Sequence, residues 1–193
     1  ASMILAHALS ASGLLFLTIL PEILPVPFIG ILISVMIYAV GGGLLEVLVS
    51  PVVEACPSDN KEKAMSMLHS FYCWGQAGVV LISTLFFFMA GIDNWKILAI
   101  VWAILPVCNA IVFAKVPIAP LIKEGDSGLK IKELFRLKVF WILCIMMLCA
   151  GASEQAVSQW ASTFAETGLG ISKTLGDLAG PMAFAVLMGL SRL

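Results

Sequence analysis

Six apolar stretches, at about 3–20, 28–53, 64–90, 97–114, 139–165 and 174–191, occupy most of the chain. A spanning helix needs ~20 mostly apolar residues, since ~30 Å of hydrocarbon is crossed at 1.5 Å per residue. Each stretch is near or above that length. The breaks between them carry helix-stopping chemistry: Pro21, Pro25 and Pro27, then Pro57-Ser58-Asp59-Asn60, then Gly91-Ile92-Asp93-Asn94. The last break runs from Glu166 through Gly168 and Gly170 to Lys173, and only the fourth, 115–138, is long and polar. No stretch alternates every second residue as barrel strands do. The pattern predicts an all-α membrane protein with six transmembrane helices.

Composition agrees. Hydrophobic residues make up 61% of the 193 and charged residues 12%, where soluble domains average roughly 45–50% and 25%. A single soluble core of this size could not hide so much apolar surface. A soluble enzyme and a disordered chain are excluded, and a net charge of −1 gives no basis for a nucleic-acid partner. The expected partner is the lipid bilayer.

Charge decides the orientation. With the first stretch starting in the cytoplasm, nine of the eleven Lys and Arg residues fall on the cytoplasmic side, leaving Lys96 and Lys173 outside. Cytoplasmic loops collect Lys and Arg, so both ends and the 115–138 loop are expected inside, in a multi-pass protein of the plasma membrane. Within the loop, 116–126 should be irregular. Residues 127–138 are expected to form a short interfacial helix, with Leu134, Phe135 and Leu137 toward the membrane and Lys130, Lys132, Glu133 and Arg136 toward water, the alternative being a regulatory or partner-binding element. The chain opens without a basic leader and closes directly after an apolar run, so both ends read as cut.

Polar side chains inside the stretches are the candidate chemistry, because an ionisable group deep in a span costs a few kcal/mol (~3) unless it meets a cavity or partner. Glu46 lies well inside the second stretch, on a face with Tyr38, Gly42 and Ser50, beside the triplet Gly41, Gly42 and Gly43. The third stretch places His69, Tyr72, Cys73, Gln76 and Ser83 on one face. The fifth carries Glu154, Gln155, Ser158, Gln159 and Ser162, with Trp160 beside them. Each has a structural reading too: carboxyls and amides can bond neighbouring helices, and His69 and the shallow His7 can be satisfied locally. The functional reading is solute or proton binding. Gln76, Gln155 and Gln159 can donate and accept toward a hydroxyl-rich solute, and a carboxyl in a low-dielectric site favours its protonated form and can carry a proton. Asp177 suits a cap or gate before Gly180-Pro181.

The cysteines, Cys56, Cys73, Cys108, Cys144 and Cys149, show no CxxC pair or His spacing, so neither metal nor disulfide framework is expected. No HExxH, GxSxG or phosphate loop occurs, and no Cys/His nucleophile pair at a recognisable spacing. The expectation is a protein that is not an enzyme and carries no cofactor.

The stretch Gly41-Gly42-Gly43-Leu44-Leu45-Glu46-Val47-Leu48-Val49-Ser50-Pro51 resembles the fourth helix of the fucose-permease-like branch of the major facilitator superfamily. That branch runs from glycines to a glutamate and then to Asn-Pro, whose place Ser50-Pro51 takes here. Residues 64–76 resemble its fifth helix, 154–165 a seventh helix, and Gly180-Pro181 with 188–192 an eighth. The resemblance implies helices three to eight of a twelve-helix, two-bundle transporter. Residues 1–114 are then four helices of the N-terminal bundle, 115–138 is the interdomain linker, and 139–193 forms the first two helices of the C-terminal bundle. It further implies a proton-coupled secondary transporter of a small polar solute, sugar-like or another organic molecule, working by alternating access and as a monomer at full length. Its substrate and proton site would draw on Glu46, His69, Tyr72, Gln76, Glu154, Gln155, Gln159 and Trp160. The alternative is a non-transporting six-helix scaffold or assembly subunit. An upstream Gly-x-x-x-Asp-Arg loop would distinguish the two.

Overall fold

The computed structural model describes residues 1–118 and 130–192, and every regular element among them is helical. In order they are α1 (Ser2–Ile23), α2 (Pro27–Ala55), α3 (Lys61–Ala90), a 3-10 turn (Ile92–Asn94), α4 (Trp95–Lys115), α5 (Ile131–Leu134), α6 (Lys138–Leu169), α7 (Lys173–Asp177), a π-turn (Leu178–Met182) and α8 (Ala183–Leu190). The helix α1, α2, α3, α6 and the segment Ile92–Lys115 are long and apolar enough to cross a bilayer. These five are compatible with a multi-pass membrane protein.

Local chemistry sets the boundaries. Pro27 opens α2 at a position where its missing N–H is not needed. The Asn60 carboxamide accepts from the Lys63 N–H at 2.9 Å and caps α3. Gly91 (φ +80°) ends α3 and Gly170 (φ +67°) ends α6, in the backbone region that glycine enters without steric cost.

Three expectations shift. Pro21 lies inside α1, and the chain leaves the helix only at Leu24, ahead of Pro25; Pro51 and Pro106 also sit within helices. A spanning helix tolerates proline where neighbours and local adjustment re-satisfy the freed carbonyl. The interfacial helix expected over 127–138 is confined to Ile131–Leu134 among the described residues, its 127–129 part lying outside them. It stops because Leu137 turns extended to start α6. The sixth apolar stretch, 174–191, is helical but not one regular helix: Pro181 donates no N–H, and the ladder widens into the π-turn around it. The described residues therefore hold five regular helices of spanning length rather than six.

The chain divides into two compact units. The first comprises Ala1–Leu68 with the described part of Leu85–Leu121, and in it α1 packs against α2 and α4. Three glycines bring the α1 and α2 backbones together. A Cβ on Gly13 would fall 2.5 Å from the Tyr38 N, one on Gly30 2.6 Å from the Pro21 N, and one on Gly41 2.6 Å from the Ser10 N. Small residues at a helix crossing permit this approach, and close packing, more than hydrophobicity, holds helices together in lipid. Ser34, fully buried in this seam, returns its hydroxyl proton to the Gly30 carbonyl at 2.7 Å. His7 is buried as well, with Nδ1 2.8 Å from the Met3 carbonyl and its ring against Phe113. That satisfies it within the helix.

The second unit takes the middle of α3, His69–Thr84, with the described chain from Lys130 on. In it α6 packs on α7 and the π-turn. Gly176, Gly180 and Gly189 are its contact points: a Cβ on each would lie 3.0 Å from the Ser162 carbonyl, 3.0 Å from the Ala161 Cβ and 3.2 Å from the Cys73 Cβ, respectively.

Candidate polar site on α3 and α6

Helical spacing sends Ser70, Cys73, Ala77 and Thr84 of α3 to its buried side. Gln76 stands at the edge of that stripe, half-buried. Its Nε2 donates to the Ser158 hydroxyl of α6 at 3.0 Å. Its Oε1 is shielded from solvent and accepts no hydrogen bond. A buried acceptor left unpaired costs about 1–3 kcal/mol, so this oxygen is a point of unmet demand inside an apolar segment.

On α6, Glu154, Ser158 and Ser162 follow one another at intervals of four residues, on a single stripe. Ser158 and Ser162 are buried and Glu154 is half-buried. The Ser162 hydroxyl donates to the Asp177 carboxylate, which also pairs with Lys173 at 3.5 Å. Gln76, Ser158, Ser162 and Asp177 thus form a polar seam joining α3, α6 and α7. Gln155 and Gln159 occupy the adjacent stripe, exposed, with Gln159 donating to Gln155 at 3.4 Å.

Three neighbours of the seam behave differently from it. Trp160 is exposed and lines an open apolar groove with Ala156, Val157, Ala161 and Phe164, on another side of α6 from Ser158. His69 and Tyr72 are exposed on α3. The His69 carbonyl accepts from the Cys73 thiol at 3.3 Å and from Arg192 at 3.5 Å, while Cys73 itself is fully buried.

Glu46 belongs to the first unit. It is exposed, and Gly42 and Gly43 of the preceding turn have nothing within 4 Å of where a Cβ would be. Gly41 of the same triplet is closed against α1. The triplet therefore splits: Gly41 serves helix packing, and Gly42 and Gly43 stay bare. Tyr38 is partly exposed and its backbone meets Gly13.

The link from Ser70 of α3 to the Gly189 carbonyl at 3.4 Å does not follow from the sequence. Its signal was available as small residues on both partners, Ser70 and Cys73 facing Gly189. Nothing in one dimension aligns those two helices, however. All five cysteines are free thiols.

No protein-family model, curated protein or solved structure matches this chain.

Proposed function

We propose that this chain is part of a proton-coupled secondary transporter for a small polar solute, sugar-like or another organic molecule, working by alternating access. The observation that carries the reading is the Gln76 carboxamide: one end is held by Ser158 and the other is buried and unpaired. Such an oxygen, held in place by a neighbouring helix, suits a hydroxyl or ammonium donor on a solute. Glu154 one turn along the same α6 stripe, with Gln155 and Gln159 beside it, would extend the polar lining, with His69, Tyr72 and Trp160 toward its margins. Glu46 would exchange the coupling proton. In this proposal 1–114 and 139–193 belong to two bundles of a twelve-helix major facilitator fold joined by 115–138, with both ends of the chain cytoplasmic and the protein in the plasma membrane. The full-length protein would act as a monomer.

The test is uptake of a panel of radiolabelled polyols, sugars and small amines by proteoliposomes of the full-length protein under an imposed proton gradient. Gln keeps the hydrogen-bonding shape of Glu but cannot ionise. Glu46→Gln should insert normally, lose uphill accumulation and retain part of its counterflow. Gln76→Met should weaken solute binding by roughly 5–150-fold, the equivalent of the 1–3 kcal/mol for a buried hydrogen-bonding group. Failure of every solute in the panel to accumulate would remove the reading. Wild-type accumulation by Glu46→Gln would move the proton role to Glu154.

The scaffold reading draws on one feature. α6 is 32 residues long, yet only Ser158 and Ser162 are buried on it, so much of its length is available to lipid or a partner helix.

A further inference from the structure

The junction between α5 and α6 combines features that the transport reading does not use. Lys130, Lys132, Arg136 and Lys138 lie within nine residues against a single acid, Glu133, and all five are exposed. Glu133 is already engaged with the chain, its carboxylate accepting from the Lys130 N–H at 3.2 Å. Interleaved with the cations are exposed apolar side chains: Ile131 at 71% exposure, Phe135 at 51%, Val139 at 64% and Trp141 at 51%.

The aromatic side chains are held rather than loose. Trp141 stacks on Phe135 with ring centroids 5.7 Å apart, and Phe140 meets both rings edge-on. The indole N–H donates to the Phe135 carbonyl at 3.0 Å. With its one donor satisfied by backbone, the Trp141 ring can enter an apolar layer without a desolvated N–H. The cluster sits where the apolar α6 begins, which is the depth of a bilayer interface, the zone that tryptophan favours.

We propose that this junction is a docking surface for anionic lipid headgroups, with Phe135 and Trp141 inserted at the headgroup–acyl boundary and the four cations over the phosphates. Charge complementarity selects this occupant. A net surplus of three positive charges beside exposed aromatics fits an anionic interface, where each Lys or Arg near the surface strengthens association roughly fivefold. A zwitterionic surface offers the apolar term alone.

Tryptophan quenching by brominated lipids tests this on the full chain in nanodiscs, with Trp141→Phe subtracted to isolate the one indole. Brominated phosphatidylglycerol should quench Trp141 at a severalfold lower mole fraction than brominated phosphatidylcholine. The preference should shrink near 1 M salt, where the screening length falls to ~3 Å. The combined Lys130→Gln, Lys132→Gln, Arg136→Gln and Lys138→Gln variant should lose the preference, and replacing the three lysines by Arg should keep it. Because the salt titration uses the unaltered protein, the proposal stays testable even if the neutralised variant does not fold. Equal quenching by both lipids, a preference insensitive to salt, or a Trp141 that neither lipid reaches because protein covers it would overturn the proposal.

Discussion

A single methyl group added at Gly41 should separate α1 from α2. The new Cβ would lie 2.5 Å from the Ser10 hydroxyl oxygen, 2.6 Å from the Ser10 backbone N and 2.8 Å from the Ala6 carbonyl oxygen. The hydroxyl cannot easily swing clear, since it is bonded to that same carbonyl at 3.0 Å, and the other two atoms are backbone. Reaching ordinary contact requires the helices to part by about 0.8 Å, and a gap of ~0.5–1 Å forfeits a quarter to a half of each dispersion contact along the seam. Overpacking of this kind costs about 1–3 kcal/mol.

Gly42→Ala provides the internal reference. Nothing lies within 4 Å of its Cβ position, and both substitutions gain the same helix propensity, about 1 kcal/mol, which cancels in the comparison. Gly41→Ala should therefore unfold some 2 kcal/mol more easily than Gly42→Ala. At ~2–4 °C per kcal/mol for a chain of this size, the midpoints should differ by about 4–8 °C in detergent, followed by circular dichroism. Coincident midpoints would refute the proposed seam between α1 and α2.

A double-mutant cycle on Gln76→Leu and Ser158→Ala should show a coupling near 0.6 kcal/mol, the average for interhelical hydrogen bonds in membranes; zero coupling would deny the 3.0 Å contact. Thiol labelling should rank the native cysteines. Cys56, exposed just past the end of α2, should react fast with a water-soluble maleimide and the fully buried Cys73 slowest, while Cys108, Cys144 and Cys149, within helices long and apolar enough to cross a bilayer, should need a membrane-permeant reagent. Cysteine introduced at Lys130 should be labelled by an impermeant reagent only once cells are opened, and labelling in intact cells would reverse the proposed orientation.

The helical character, the apolar segments and most of their ends were legible in one dimension because each follows from local properties. Mean hydropathy over a window reports transfer into lipid, and Asn60, Gly91 and Gly170 act on the turn in which they sit. So were the polar positions that carry the candidate site: Gln76, Glu154 and Ser158 stand out as groups that lipid alone would not accommodate. The extent of α5 and the break at Leu178–Met182 were not legible, since composition permits a helix in both places and only the competition among backbone hydrogen bonds ends or widens it.

Which side of each helix does what was settled by tertiary structure alone. Three consecutive glycines look equivalent in the sequence, yet Gly41 closes on Ser10 while Gly42 and Gly43 stay bare. Gln76 bonds Ser158 rather than the nearby Gln155 or Gln159, and Trp160 faces an apolar groove away from the glutamines. The residues at 154–160 specify a helix with two polar stripes and one apolar stripe. They do not specify its rotation about its own axis. That angle is chosen by where backbones can approach, at Gly176 and Gly180 against Ser162 and Ala161, and residues brought together this way are far apart along the chain.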